Sequence, residues 1–441
     1  MVTETLPAAV STRRSRTLLF LLYFLFGSLA EGCQGIVLLW LVYDLSHNAF
    51  LVSVMVMLGY LPAAVIGLLF KRIADRGRAD RIARSTNLTL ACTSTVLGVQ
   101  QLAAGHAVAL VLTVIGVVQV VLSLAKMLNK AALNRLIRLA FADQDAAQLL
   151  KTSSSVSLIG QVAGAGLAGL VLTQGWIAAG LLCAAVAYAA SAGSLALGTR
   201  GAEAAECAAR DGAGVGDYRD EGDGRLAAGT AVRVAGGAEP ERAVRGGAVG
   251  KIRWSSALVS VLVFSVPSSG ALQFIAILLV PLSRQVAPDQ PSYYAILGIV
   301  AIGGSITASL LLSANLVTAG QVMGWALPAT AALALLLATL PSRYPAGLLS
   351  FLITVTITAH VICMQVLTNQ LPRPQEIGQF AVARNVVASL AKASFSLAAG
   401  TLIEVFGLST ASVVLAGVLA AFWIGWLLFG QSLRAPAVGT A

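Results

Sequence analysis

Charge is what this sequence has least of. Asp, Glu, Lys and Arg make up 11% of its 441 residues, whereas soluble domains carry about 25%. With 57% hydrophobic residues and a mean hydropathy of +0.84, so few charges exclude a soluble globular chain. Cysteine is scarce as well. The five, at positions 33, 92, 183, 207 and 363, show no CxxC or other paired spacing, which excludes a disulfide framework and a cysteine metal site. No GxxxxGK(S/T), GxSxG or HExxH occurs, so nothing marks nucleotide hydrolysis, hydrolase or zinc-protease chemistry. Ionisable residues within the apolar stretches stand singly rather than in clusters, so neither an enzyme, a cofactor nor a metal is expected.

What is present is apolar length. About 20 apolar residues cross a bilayer as a helix, and twelve such segments occur: 17–43, 49–70, 86–104, 107–129, 153–173 and 176–198, then 254–282, 293–313, 319–340, 346–368, 386–405 and 408–429. The first follows three arginines, as a signal peptide does, but has no small-residue cleavage site and is expected to stay as a helix. Residues 199–253 combine Gly, Ala and mixed charge without apolar periodicity, and read as a disordered cytoplasmic linker. The expectation is an all-α membrane protein of twelve transmembrane helices. Its parts are a tail over 1–16, a six-helix half over 17–198, the linker, a second half over 254–430 and a tail over 431–441.

The basic residues give the orientation. With the N-terminus inside, the inner side holds Arg13, Arg14 and Arg16, the run from Lys71 to Arg84, then Lys130, Arg135, Arg138, Lys151, Arg373, Arg384 and Arg434. Outside connections contain only Arg284 and Arg343. This bias places both termini in the cytoplasm of a plasma-membrane protein. The net charge of +10 therefore meets anionic lipid and the membrane potential, not nucleic acid.

The halves look related. GQVAGAGLAGLVLTQGW in segment five and LAKASFSLAAGTLIEVFG in segment eleven are small-residue stripes that suit close helix packing in lipid, and Gln34 aligns with Gln273 ahead of similar apolar runs. Six-plus-six segments with a basic loop after the second resemble the major facilitator superfamily. The loop KRIADRGRADRIAR resembles that family's motif A, with Asp75 and Arg76 in register and Lys71 where the motif begins with Gly. The stretches GSLAEG…LLWLVYDLSHNAFLVSV and NKAALNRLIRLAFADQDAAQLLKTSSSVSLIGQVAGAGLAGLVL are similar to the branch that contains enterobactin exporters and macrolide efflux pumps. The resemblance implies two six-helix halves rocking about a midplane site, a monomer, and a cytoplasmic gating loop that includes Asp75, Arg76 and Arg78.

Polar residues inside apolar segments are the candidate site, because in lipid they must face protein or water. Ser28, Glu31 and Gly35 share one face of segment one; Gln119, Ser123, Lys126 and Lys130 share one of segment four; Ser154, Ser157 and Gln161 share one of segment five. Ser389, Lys392 and Ser396 do so on segment eleven, and His360 and Gln365 lie on segment ten. Glu31 is the candidate proton site, since a carboxylate at mid-bilayer costs about 2.5–3.5 kcal/mol on insertion scales. Gln34, Gln119, Lys126, Gln161, Gln273, His360, Gln365 and Lys392 are the candidate cargo contacts. Alternatives stay open: Glu31 as a protonated structural acid or as a partner of Lys392, Lys126 snorkelling to the inner interface, and His360 as a packing residue. The expected function is proton-driven export of a small organic molecule, with an anionic cargo balancing the lysines. Uptake, or a membrane sensor or lipid-handling protein without transport, are the alternatives.

Overall fold

Twenty apolar residues have one local way to satisfy their backbone in lipid, and that is helix. The computed structural model describes residues 6–62, 64–65, 79–103, 107–141, 143–214, 254–314, 316–340, 342–372 and 377–429, and among these every regular element is an α-helix. The helices are α1 (Leu6–Ser46), α2 (Ala49–Leu58), α3 (Ala79–Leu102), α4 (Val108–Ala140), α5 (Asp143–Thr173) and α6 (Ile177–Gly214). The second set is α7 (Ser256–Val286), α8 (Ser292–Ser313), α9 (Ala319–Thr339) and α10 (Arg343–Gln370). A last run, Ile377–Phe429, breaks at Gly407 (φ 83, ψ 170) into α11 over 377–406 and α12 over 408–429. Only Gly adopts that φ without strain, so a single residue makes the turn. Each of the twelve segments found in the sequence overlaps one of these helices.

Several helices run beyond the segments read from the sequence: α3 begins at Ala79, α4 continues to Ala140, α5 begins at Asp143 and α11 begins at Ile377. α1 begins at Leu6, inside the expected tail, and α6 continues to Gly214, inside the expected linker. The extension of α6, RGAEAAECAARDGAG, is rich in Ala, the residue with the highest helix propensity. Absence of an apolar stripe removes a reason to pack but not the reason to coil.

Helices α1 and α5 cross with their backbones in contact. A Cβ added at Gly164 would meet the Leu29 carbonyl at 2.1 Å, one at Gly160 the Leu25 carbonyl at 2.6 Å, and one at Gly32 the Gln161 carbonyl at 2.6 Å. The small-residue stripe of segment five is therefore a packing surface. In the second half α7 meets α11, with Gly270 beneath the ring of Phe395. Between halves α2 packs on α11 and α5 on α8. Each half thus offers its second and fifth helices to the other, as two similar bodies related by a pseudo-twofold axis would.

Successive helices alternate in direction, so the bundle has a proximal end, where α1 starts, and a distal end, which carries residues 46–49, 173–177, 286–292, 339–343 and 406–408. Three buried cores follow this division. One, around Phe20, Tyr23, Ile137 and Leu195, belongs to the proximal part of the first half. Another, around Leu258, Phe264, Met364, Phe380 and Trp426, belongs to the proximal part of the second. The third holds Val37, Leu41, Val52 and Leu172 together with Leu278, Leu282, Tyr294 and Leu415, and runs across both halves toward the distal end. The halves share a core at one end and keep separate cores at the other.

Candidate functional site

Glu31 lies near the middle of α1, 15 residues from Ser46 and so about 22 Å along the helix. Its Oε1 accepts from Lys126 Nζ of α4 at 2.7 Å. The side chains keep 49% and 40% exposure, although both sit within spans long and apolar enough to cross a membrane, Glu31 at mid-span and Lys126 toward the proximal end of its own. Lys126 thus reaches back to Glu31 instead of snorkelling to the inner interface, and the partner of Glu31 is this lysine and not Lys392. Around Lys126 stand the phenols of Tyr188 and Tyr60.

Below and beside this pair, polar side chains tie the first half together. Gln34 is sealed at 2% exposure; its amide donates to Ser94 Oγ at 3.0 Å and accepts from Tyr188 OH at 3.0 Å. In this conformation it joins α1, α3 and α6 rather than facing a cargo. A second chain runs from Tyr23 OH to Asn129 Oδ1 (2.9 Å), from Asn129 Nδ2 to Asn87 Oδ1 (3.2 Å), from Asn87 Nδ2 to Ser191 Oγ (3.1 Å) and from Ser191 Oγ to the Tyr23 carbonyl (2.9 Å). That closed ring links α1, α3, α4 and α6. Sequence reasoning missed it, although Asn87 and Asn129 are amides in apolar helices and deserved the scrutiny given to the glutamines.

The other candidates divide. Gln119 and Gln161 are half-buried, Gln119 close to Gly59 of α2 and Gln161 at the α1–α5 crossing. Gln273 of α7 is also half-buried and Gln365 of α10 is exposed. His360 is 1% exposed, and its Nδ1 has no hydrogen-bond partner; it packs within the second half instead of lining open space. Lys392 is half-buried, with Nζ 5.1 Å from the ring centroid of Tyr60 across the interface. Fourteen residues separate Lys392 from Phe406, about 21 Å of rise, so it lies level with Glu31. Tyr60 therefore stands between the lysine of each half. Asp75, Arg76 and Arg78 lie outside the described residues.

The distal end is closed by polar contacts that sequence reasoning did not assign. Asp44 of α1 is paired with Arg284 of α7, the Arg284 guanidinium lies 4.4 Å from the Trp40 ring, and Trp40 stacks on Tyr294 of α8 at 6.1 Å. Glu404 of α11 accepts the backbone N–H of Ala49 at 3.0 Å, next to Asn48, which caps α2 by accepting from Leu51 N. A Cβ at Gly400 would strike Ser53 at 2.3 Å. Among the described residues, no hydrogen bond or ion pair between halves lies proximal to the Tyr60–Lys392 contact. Arg284 was one of two basic residues breaking the inside bias, and that exception was the available signal.

Among the described residues, the arrangement is a bundle of two halves joined by polar contacts at the distal end, with a half-exposed acid–base pair midway. The Major Facilitator Superfamily profile matches residues 19–396, and the chain belongs to that superfamily. No curated protein matches the sequence. Among solved structures the chain is similar to a bacterial homologue of the human lysosomal transporter Spinster in an inward-facing, unoccupied conformation. The likeness has a TM-score of 0.66 at 14% identity and covers 98% of this chain and 100% of that one. It is also similar to the nucleoside transporter NupG, with a TM-score of 0.67 at 12% identity over 94% of this chain and 99% of that one. The inward open xylose transporter XylE from E. coli gives 0.60 at 12% identity over 94% and 95%. These likenesses are of fold.

Proposed function

We propose that the chain is a secondary active transporter of the plasma membrane that exports a small organic molecule, such as a natural product, siderophore or drug, by proton antiport. Both termini and the linker face the cytoplasm, so the distal end is extracellular and the structure is the inward-facing state of an alternating-access cycle. The observation that carries this reading is the Glu31–Lys126 pair: a half-exposed carboxylate midway along α1 of the first half, proximal to the core that the two halves share.

An ion pair at this exposure contributes about 1 kcal/mol or less to stability, which suits a switch better than a brace. A proton on Glu31 removes the acid's charge and leaves Lys126 without its counterion. The halves then carry one more positive charge at mid-depth, and their rocking equilibrium moves to whichever state solvates it better. Cargo binding biases the same equilibrium, and two ligands acting on one equilibrium are coupled. The test is efflux driven by an imposed proton gradient in inverted vesicles, in wild type and Glu31→Gln. Gradient-driven export should disappear in the variant while expression and melting temperature hold. Full active transport by Glu31→Gln with unchanged pH dependence would sink the proton-site assignment, and flux running with the protons would reverse the direction to uptake.

A further inference from the structure

Charge in the second half is not matched as it is in the first. Glu31 and Lys126 pair with each other, whereas among the described residues Lys392 meets the Tyr60 ring and forms no ion pair. Eight residues proximal on the same helix stands Arg384, a residue the site reading passed over. It is 7% exposed, yet among the described residues its one hydrogen bond is from Nε to Ser265 Oγ at 3.2 Å. Ser265 in turn gives its own proton to the Val261 carbonyl at 2.7 Å, so its oxygen is turned to accept from the guanidinium. Among the described residues the two terminal nitrogens of Arg384 have no acceptor.

A buried guanidinium with a single neutral partner is costly, because a charge withdrawn from water needs an opposite charge or several hydrogen bonds. Arg presents a planar fork that fits a carboxylate or phosphate in two parallel bonds, and here the two terminal nitrogens of the fork are the atoms without an acceptor among the described residues. Lys392 lies about 12 Å further along the helix. Eight residues at 100° each bring it to within about 80° of Arg384 around the axis, so both cations face the same quadrant. His360, the remaining basic candidate of this half, is sealed away.

We propose that Arg384, held by Ser265, and Lys392 form an anion subsite in the second half, and that the cargo carries an acidic group of the carboxylate, sulfonate or phosphate kind. This rests on the transporter reading above and names the substrate class for it. Arg384 takes the acid group near the proximal mouth, and Lys392 takes it at mid-depth, opposite the neutral Glu31–Lys126 pair. The same chemistry could be satisfied by an anionic lipid headgroup entering from the inner leaflet.

The full chain in phosphatidylcholine nanodiscs distinguishes these, with naphthalene-2-sulfonate and its neutral twin naphthalene-2-sulfonamide as probes in equilibrium binding. Wild type should bind the sulfonate at least tenfold more tightly than the sulfonamide. Arg384→Gln and Lys392→Met should each bring that ratio below threefold, and Lys392→Arg should keep it. A ratio near one in wild type, including binding of neither probe, overturns the subsite. So does a ratio that survives both substitutions in variants that melt like wild type. If 30 mol% phosphatidylglycerol in the disc abolishes the preference, the subsite belongs to lipid and the cargo assignment falls. Binding is read without flux, so a lost preference with intact proton-driven efflux defeats this proposal alone. A preserved preference without any flux defeats the transport reading alone.

Discussion

Arg284→Gln should shift the protein away from the state seen here, by an amount that can be set out in advance. Arg284 makes two contacts across the halves, the pair with Asp44 at 30% and 39% exposure and the approach to the Trp40 ring at 4.4 Å. A pair this exposed contributes about 0.5 kcal/mol, and a half-exposed cation–π contact about 1 kcal/mol. Against them, Arg284 Nε is buried without an acceptor, a cost that belongs to the closed distal end and trims the sum. The net loss is about 1–1.5 kcal/mol, close to a tenfold change in the ratio of closed to open distal ends. Asp44→Asn removes only the ion pair and should change the ratio about twofold, and the double variant should match Arg284→Gln alone. Spin labels at Gln174 and Gln290, both exposed at the distal end and one in each half, report the two states as two distance populations. Unchanged populations in Arg284→Gln would refute the latch. An effect of Asp44→Asn as large as that of Arg284→Gln would remove Trp40 from it.

Packing and connection give two further expectations. Gly164→Ala forces a Cβ onto a backbone carbonyl of α1 and should cost about 1–3 kcal/mol, lowering the melting temperature by several degrees. Gly166→Ala, with nothing within 4 Å, should be neutral or stabilising by up to about 1 kcal/mol through helix propensity; equal effects of the two would contradict the close α1–α5 crossing. Deleting residues 215–234 leaves α6 whole and about 19 residues to join the halves, with a reach of about 24 Å for a flexible chain. Efflux should persist, and its loss in a well-expressed deletion would mean that the linker has a binding role.

Helix positions were legible because the bilayer imposes one length and one hydrogen-bonding solution on every crossing. Gly407 was legible too, as a Gly at the boundary of two adjoining apolar runs. The end of α6 was not, since the reading asked for an amphipathic stripe and the chain continued on Ala propensity alone. In the site, the polar face of segment one and that of segment four do meet, through Glu31 and Lys126. Partner choice is a different matter: Lys126, Lys392 and a proton could each satisfy Glu31, and only the crossing of α1 with α4 decides among them. Gln34 shows the converse. Its sequence context is that of a cargo contact, but Ser94 and Tyr188, 60 and 154 residues away, converge on its amide and bury it. Arg384 read as an ordinary inner-side cation, because depth estimated from a boundary of ±4 residues does not separate a snorkelling arginine from one folded under α7.

The distal contacts also bear on how the halves recognise each other. The first half contributes an acid, Asp44, and a backbone donor, Ala49 N–H; the second contributes a base, Arg284, and an acid, Glu404. The two faces are complementary but not self-complementary. Two copies of the first half brought together would set Asp44 against a face that lacks Arg284, and two copies of the second would leave Glu404 without the start of α2 to cap. Two halves of similar helix order thus present a left hand and a right hand. A chimera that exchanges one half for a relative's must bring residues 44 and 284 as a matched set, and an acceptor at 404 for the backbone N–H at the start of α2, if the two are to close.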